Sequence, residues 1–362
     1  MKKRIIGLDI LRFLSMLGIV GLHVMNQGGV IGHANVHSSN YIILLFFITI
    51  LYTSVNIFGI LSGYLNVEKE KNNNSRIIEL LSILFFWSFL TTIICFSTNA
   101  FGVRELGFKE FIKGMFPPLF GNNWYITSYV LLFFLIPYIN ILLNKIGKDK
   151  YKQMLIVLFV LLCVIQNLFG YVDLFRINYG YSPFWLIYCY MIGGYIKKYG
   201  LHFEKKKQII ILICSLLFAC LLNYIWKLSS IRFLGHISKN DWFIDYISPF
   251  TLISSMMIIS LFSNITLKNK ILSKIFIYLS GMAFSVYIIH GHRIIFLYYL
   301  KNLFVPLLNY NGIITVLLII AILLIVYVGC CILDEIRKLI FKIFRLNMLI
   351  DFIGKKLNKI LN

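Results

Sequence analysis

Charge is scarce in this 362-residue chain: Asp, Glu, Lys and Arg together make up 14% of it, where an ordinary soluble domain carries about 25%. That shortage, beside 59% hydrophobic residues and a mean hydropathy of +0.83, excludes a soluble globular protein. Polar linkers are missing as well. No Pro/Gly/Ser-rich stretch divides the chain and no interval between apolar runs is long enough to fold alone, which excludes a string of soluble modules. The seven cysteines form no CxxC pair and no cluster outside the apolar runs. A disulfide framework and a thiolate metal site are therefore not expected, and the cysteines read as small packing residues. Acidic residues are the scarcer charged class, 14 against 35 Lys and Arg. The resulting net charge of +21 would suit a nucleic-acid partner, but its placement along the chain gives a different explanation.

Apolar runs of membrane-crossing length lie at 6–26, 41–63, 78–97, 124–144, 153–170, 183–197, 208–226, 244–265, 275–300 and 312–333. They predict an all-α polytopic membrane protein with about ten transmembrane helices. Short cytoplasmic loops collect Lys and Arg. With the N-terminus placed inside, the inner segments hold 25 of the 35 cations and the outer ones eight, while Arg12 and Arg293 fall within runs. The positive charge is thus a matter of topology, no nucleic acid is called for, and both termini are expected in the cytoplasm. "MKKR" before an apolar run has the outline of a signal peptide. No A-x-A-like cleavage site follows and polar residues interrupt the run, so an uncleaved first span is expected. The outer connection "STNAFGVRELGFKEFIKGMFPPLFGNN" predicts a short surface-lying helix before Pro117. The chain divides into a membrane domain over 1–333 and a basic tail over 334–362. The tail, "DEIRKLIFKIFRLNMLIDFIGKKLNKILN", reads as an amphipathic helix on an anionic inner leaflet or, equally, as a plain anchor for the last span.

The first span poses the functional question. "LDILRFLSMLGIVGLHV", residues 8–24, is apolar enough for a bilayer yet carries Asp9, Arg12 and His23, and charged groups at depth cost at least about 2.5–3.5 kcal/mol each. On a helix drawn with Asp9 at zero, Arg12 falls at about 300° and His23 at about 320°, some 16 Å apart along the axis. One stripe therefore carries a cation toward the inner side and an imidazole toward the outer. The structural alternative pairs Asp9 with Arg12, three residues on, lets them snorkel inward, and leaves His23 bonded to a neighbouring helix.

The same segment resembles the first span of the membrane-bound acyltransferase 3 family, in which an Arg and a His are separated by ten residues in a Leu-Asp-x-Leu-Arg context. The resemblance continues through "VNIFGILSGYL" (55–65), Arg76 in the following loop, "NNWYITSYVLLFFLIPYIN" (122–140) and "SGMAFSVYIIH" (280–290), and covers nearly the whole chain. Two features depart from the family pattern: the second basic residue often found after Arg76 is absent, with Glu79 nearby, and no esterase-like domain is appended.

The resemblance implies O-acyl transfer from cytoplasmic acyl-CoA, usually acetyl-CoA, to a hydroxyl of a surface or lipid-linked polysaccharide, by a multi-pass protein of the bacterial cell membrane. Acetyl-CoA is then a co-substrate, membrane lipids surround the protein, and no metal is expected. Arg12, Arg76, Lys69 and Lys71 would receive CoA phosphates or orient the pantetheine arm. His23 would act as general base or as transient acyl carrier. His290 matches a family position and is the next catalytic candidate. His292 lies two residues on, about 200° around a helix from it, so the two cannot share one cavity. Asn56, Trp124 and Tyr125 would line the acceptor path, with Tyr129 and Asn140 behind them; Trp and Tyr also serve as simple interface anchors. His33 and His37 have the spacing of a metal pair but sit in a glycine-bearing loop that reads as solvated. A flippase or transporter of a lipid-linked glycan is the competing reading, and a glycan polymerase a third.

Overall fold

Each apolar run folds as helix in the computed structural model, which describes residues 4–170 and 172–361. The helices are α1 Ile6–Met25, α2 Ser39–Asn66, α3 Asn74–Thr98, α4 Gly107–Met115, α5 Trp124–Lys145, α6 Lys148–Phe159, α7 Pro183–Tyr199, α8 Lys205–Leu234, α9 Pro249–Phe262, α10 Lys270–His290, α11 Gly312–Ile343 and α12 Leu346–Leu361. There is no strand among the described residues. Side chains of Ser38, Asn73, Ser182, Asn269 and Asn311 accept from first-turn N–H groups of α2, α3, α7, α10 and α11, which fixes where those helices start. α8 stops at Gly235, whose φ of 75° is open to glycine at no steric cost.

Eight helical segments among the described residues are long and apolar enough to cross a membrane. The chain is therefore an all-α polytopic membrane protein. Two of the ten expected spans are shorter: α7 has 17 residues and α9 has 14, against about 20 needed for the hydrocarbon core. Residues 244–248 of the expected span 244–265 are loop, because the helix begins at Pro249, a favoured first-turn residue. The expected span 275–300 is interrupted at Gly291 and resumes as a π-helical turn, Ile295–Tyr299. A π-helical turn, Val160–Ile165, likewise continues α6. Lys2 and Lys3, counted among the inner cations, lie outside the described residues.

α1 and α2 are the most buried of the long helices, and the others wrap them. α2 crosses α7 at reciprocal glycines. A Cβ on Gly63 would lie 1.8 Å from the Tyr190 carbonyl oxygen, and one on Gly193 would lie 1.8 Å from that of Ile60. Only the missing side chains let these backbones touch. Within α11 Arg337 donates to the buried Asp334 at 2.6 and 2.9 Å, and Trp87 Nε1 of α3 ties the two helices together by donating to the same carboxylate at 3.1 Å.

Segments from the Lys/Arg-rich loops gather at one end of the bundle. There Asn140 Nδ2 donates to the carbonyls of Asn66 and Lys69, and Lys198 Nζ to that of Leu143. α11 runs unbroken through Ile343, so the expected boundary at 333/334 falls inside one helix. α12 follows it and packs on the start of α3, with Gly354 against Ser75 and the Asn358 amide oxygen accepting from Asn74 N–H at 2.9 Å. Its Met348, Leu349 and Phe352 are exposed, as suits a helix lying at a membrane interface. At the opposite end, α4 is held by Glu110, which accepts from Arg293 at 2.8 Å and from Lys113 at 2.6 Å.

Candidate functional site

The stripe on α1 folds as its spacing predicts, but its partners differ from the expected ones. Asp9 does not pair with Arg12. It accepts from Arg4 Nε and Nη2, both at 2.7 Å, and from Ser280 Oγ at 2.8 Å. A bidentate, charge-assisted pair satisfies that carboxylate. Arg12, half-buried one turn deeper, makes no hydrogen bond or ion pair with a described residue. Its nearest electrostatic neighbours are Asp9, Arg76, Tyr129 and Arg4. Arg76 and Lys69 also act on each other, so Arg12, Arg76 and Lys69 belong to one positive cluster at the basic end. Lys71 is exposed on the same loop.

At the far end of the stripe, His23 meets His290. Their ring centroids are 5.0 Å apart and tilted by 41°, and Phe296 closes on His23 edge-on at 4.8 Å. The break in α10 creates this meeting. His290 is the last residue of the helix, Gly291 ends it against the His23 ring, and the π-helical turn brings Phe296 back over the same imidazole. His290 Nδ1 lies 2.5 Å from the Val286 carbonyl oxygen. A carbonyl only accepts, so this nitrogen carries the proton and Nε2 keeps its lone pair. That Nε2, and Nδ1 of His23, are buried with no hydrogen-bond partner. Unpartnered buried nitrogens are uncommon in folded proteins, and two of them on rings in contact demand an explanation.

The other candidates divide into two groups. His292 lies beyond the break at Gly291, so no helical angle relates it to His290, and it meets Thr92 Oγ1 at 3.3 Å on α3. His33 bonds within its own turn to the Gly29 carbonyl, and His37 is exposed. Asn56 is buried with its amide fully engaged: Nδ2 donates to the Tyr246 carbonyl at 2.7 Å and Oδ1 accepts from Trp185 Nε1 at 2.9 Å. It knits α2 to α7 and to the loop before α9. Asn140 likewise spends its amide on Asn66, Lys69 and the Tyr190 hydroxyl. Trp124 and Tyr125 instead stand in a train of rings that begins at the histidines. Tyr287 is 6.3 Å from His290, Tyr125 is 6.2 Å from Tyr287, and Trp124 is 5.6 Å from Tyr125. Sequence reasoning missed Arg4 as the partner of Asp9, and Phe296 and Tyr287 as neighbours of the imidazoles. Arg4 lies five residues from Asp9 and before the helix begins, where no periodicity speaks; Tyr287 does lie within the segment 280–290.

A family model described as an acyltransferase domain, that of the acyltransferase 3 family, matches residues 5–335. No curated protein and no solved structure matches the chain.

Proposed function

The chain belongs to the acyltransferase 3 family, and from that premise we propose that it transfers an acyl group, acetyl by preference, from cytoplasmic acyl-CoA to a hydroxyl of a bacterial surface polysaccharide. One observation carries the reading. Arg12, a guanidinium without a protein partner, and His23 lie on the same strip of α1, about 16 Å apart, and His23 meets His290 of α10 with one unpartnered nitrogen on each ring. The basic end faces the cytoplasm by the charge rule, where the anionic donor is found. CoA phosphates then meet Arg76, Lys69 and Lys71, and Arg12 draws the arm inward toward His23.

The acceptor hydroxyl attacks the thioester carbonyl as His23 removes its proton. The C–S bond then breaks, and the departing thiolate takes a proton from the imidazolium to leave as free CoA. His290 has its tautomer fixed by Val286, and its ring, 5.0 Å from that of His23 by centroid, helps to hold the base in place. Imidazole suits the task because its ordinary pKa lies near neutrality, and the surrounding Phe296 and Tyr287 rings keep bulk water, a competing acceptor, away.

Protein reconstituted in liposomes is expected to release CoA from acetyl-CoA when glycan is supplied. His23→Ala and His290→Ala should each lower the rate by about 10²–10⁴, the usual contribution of a positioned base. Unchanged thioester turnover in both variants would refute the chemistry. Surface polysaccharide from a deletion strain should lose its ester-linked acyl groups and keep its chain length, whereas loss of a flippase would shorten or abolish the polymer.

A further inference from the structure

A cavity of about 500 Å³ lies at the basic end of the bundle, between the ends of α2, α7 and α9 and the start of α8. A volume of that size holds a small ligand. It stands apart from the cations assigned to the donor. Tyr64 of α2 lines it, whereas Ser62, two residues earlier, faces Tyr129, a neighbour of Arg12 and Arg76. Two residues are about 200° around a helix, so α2 separates the cavity from the Arg12 cluster.

The walls carry positive charge that no carboxylate answers. Lys197, in the last turn of α7, and Lys205, the first residue of α8, both line the cavity, and neither forms an ion pair with a described residue. Lys197 Nζ sits 5.0 Å from the centre of the Tyr64 ring. α8 opens with three lysines, Lys205, Lys206 and Lys207, and has no acid in its first turn. Cations at the positive end of a helix dipole are unfavourable, so an anion held here relieves a cost built into the fold. Gln208 continues the wall. It is 6% exposed, its Nε2 donates to the Phe203 carbonyl at 2.7 Å, and its Oε1 is buried with no hydrogen-bond partner. A buried acceptor left unused lacks its donor. At intervals of four residues from Lys205 come Ile209, Ile213 and Leu217, which are 40%, 51% and 53% exposed. That spacing makes one ridge, an apolar track from the cavity along a helix of membrane-crossing length.

We propose that this cavity binds the headgroup of an anionic phospholipid of the inner leaflet, one that also carries a hydroxyl, such as phosphatidylglycerol. Lys197 and Lys205 take the phosphodiester, the headgroup hydroxyl donates to Gln208 Oε1, and the acyl chains lie along the ridge of Ile209, Ile213 and Leu217. Basic pockets between membrane-spanning helices on the cytoplasmic side recognise such headgroups. A soluble phosphate compound offers the same charge, but only a lipid also uses the apolar ridge. The bound lipid braces α8, one of the least buried of the long helices, against α2, α7 and α9. The inference goes beyond acyl transfer and does not depend on it.

The test is native mass spectrometry of the full-length protein in neutral detergent with three dioleoyl lipids: phosphatidylglycerol, phosphatidylcholine, and phosphatidylmethanol, which is anionic but has no headgroup hydroxyl. Phosphatidylglycerol should be held roughly tenfold to a hundredfold more tightly than phosphatidylcholine, and Lys197→Gln together with Lys205→Gln should abolish that preference. Phosphatidylmethanol should be held roughly threefold to tenfold less tightly than phosphatidylglycerol, the worth of one hydrogen bond, and Gln208→Leu should erase the gap. Lys206→Gln removes a charge from the same turn without touching the cavity and should bind as the wild type does. Without lipid the double variant should unfold at the wild-type temperature, since neither lysine is in an ion pair, and phosphatidylglycerol should raise the Tm of the wild type alone. If the double variant is unstable, Lys205→Gln, at an exposed position, decides in its place. The proposal is overturned if the wild type holds either other lipid as tightly as phosphatidylglycerol, if the lysine variant retains the preference, or if Lys206→Gln loses as much as the lysine pair. Displacement of phosphatidylglycerol by millimolar inorganic phosphate or CoA would give the cavity to a soluble anion and would overturn it as well.

Discussion

A single methyl group placed at the α2–α7 crossing measures how tightly the fold holds the site. In Gly193→Ala the new Cβ would start 1.8 Å from the Ile60 carbonyl oxygen, 2.7 Å from its carbon and 2.8 Å from Tyr64 N, all backbone atoms with no rotamer to escape into. Reaching even 3.0 Å from that oxygen requires the helices to part by roughly 1.2 Å. A rigid parting of that size would stretch the Trp185–Asn56 hydrogen bond from 2.9 Å to well past the usual limit of about 3.2 Å. Overpacking costs about 1–3 kcal/mol and an orphaned buried amide costs about 1–3 kcal/mol more, so Gly193→Ala and Gly63→Ala should each destabilise by about 2–6 kcal/mol.

Two other glycines supply the contrast. At Gly18 the new Cβ meets Ser54 Oγ at 2.0 Å, a hydroxyl that Ser54→Ala removes, so the double variant should recover most of the loss. At Gly281 on α10 nothing lies within 4 Å, and alanine should be neutral or should stabilise the helix by up to about 1 kcal/mol. Unfolding of the purified variants in detergent, followed by tryptophan fluorescence, gives the series directly. Gly281→Ala as damaging as Gly193→Ala, or a harmless Gly193→Ala, would refute the argument that backbone contact at this crossing sets the helix spacing.

Three further outcomes follow from named contacts. Arg12→Ala should raise the acetyl-CoA KM roughly tenfold to a hundredfold, the worth of a charged hydrogen bond, while a double-mutant cycle in unfolding should couple Asp9 to Arg4 and not to Arg12. Asp334→Asn leaves Arg337 buried without its counter-charge and should destabilise by about 3–5 kcal/mol, whereas replacing both by leucine should cost less. Burial pushes the Glu110 carboxyl up, but hydrogen bonds from Lys113 and Arg293 outweigh it and hold the group below its ordinary value. A carboxyl lowered by folding contributes stability above its unfolded pKa and loses it as pH falls through the folded one. Protection against hydrogen exchange over 107–115, taken relative to the intrinsic rate at each pH, should therefore fall in acid, and Glu110→Gln should remove that fall.

The parts of this molecule legible in the sequence are those that depend on one helix at a time. Apolar runs marked where the helices lie, because hydrophobic length is a local property, although eight rather than ten of the helical segments among the described residues reach crossing length; the angular arithmetic of α1 put Arg12 and His23 on one strip. The same arithmetic does not apply between His290 and His292, because α10 ends at His290 and Gly291 breaks the helix between them. What escaped depends on contacts between distant segments. Asp9 and Arg12 have the spacing of a pair, but Arg4 offers a bidentate fork from outside the helix and takes the carboxylate. Asn56 has the look of a ligand-binding polar residue in a span, yet its amide is consumed by Trp185 and the Tyr246 carbonyl. Tyr181 and Tyr246 sit in loops whose sequences carry no period, so only the folded chain shows them beside Trp124, at 5.0 and 6.1 Å by ring centroid.

The pairing of Arg4 with Asp9 bears on how a charged strip can remain useful within a membrane. A carboxylate three residues from Arg12 would neutralise it in the absence of a competitor, and a neutralised guanidinium is a poor ligand for phosphate. Arg4 and Ser280 occupy the carboxylate from the basic end, which leaves Arg12 cationic without a local partner and Arg76 as a like-charged neighbour. Two like charges held close in a partly buried cleft are unfavourable until an anion arrives between them. On the proposed function, part of the donor's binding free energy would therefore come from relieving a repulsion that the fold maintains. Arg4→Ala should release Asp9 to Arg12 and weaken acetyl-CoA binding from a position that itself need not touch the donor. Wild-type acetyl-CoA KM in Arg4→Ala, together with a raised one in Arg12→Ala, would show that Asp9 is no competitor for the strip and would remove this step of the argument.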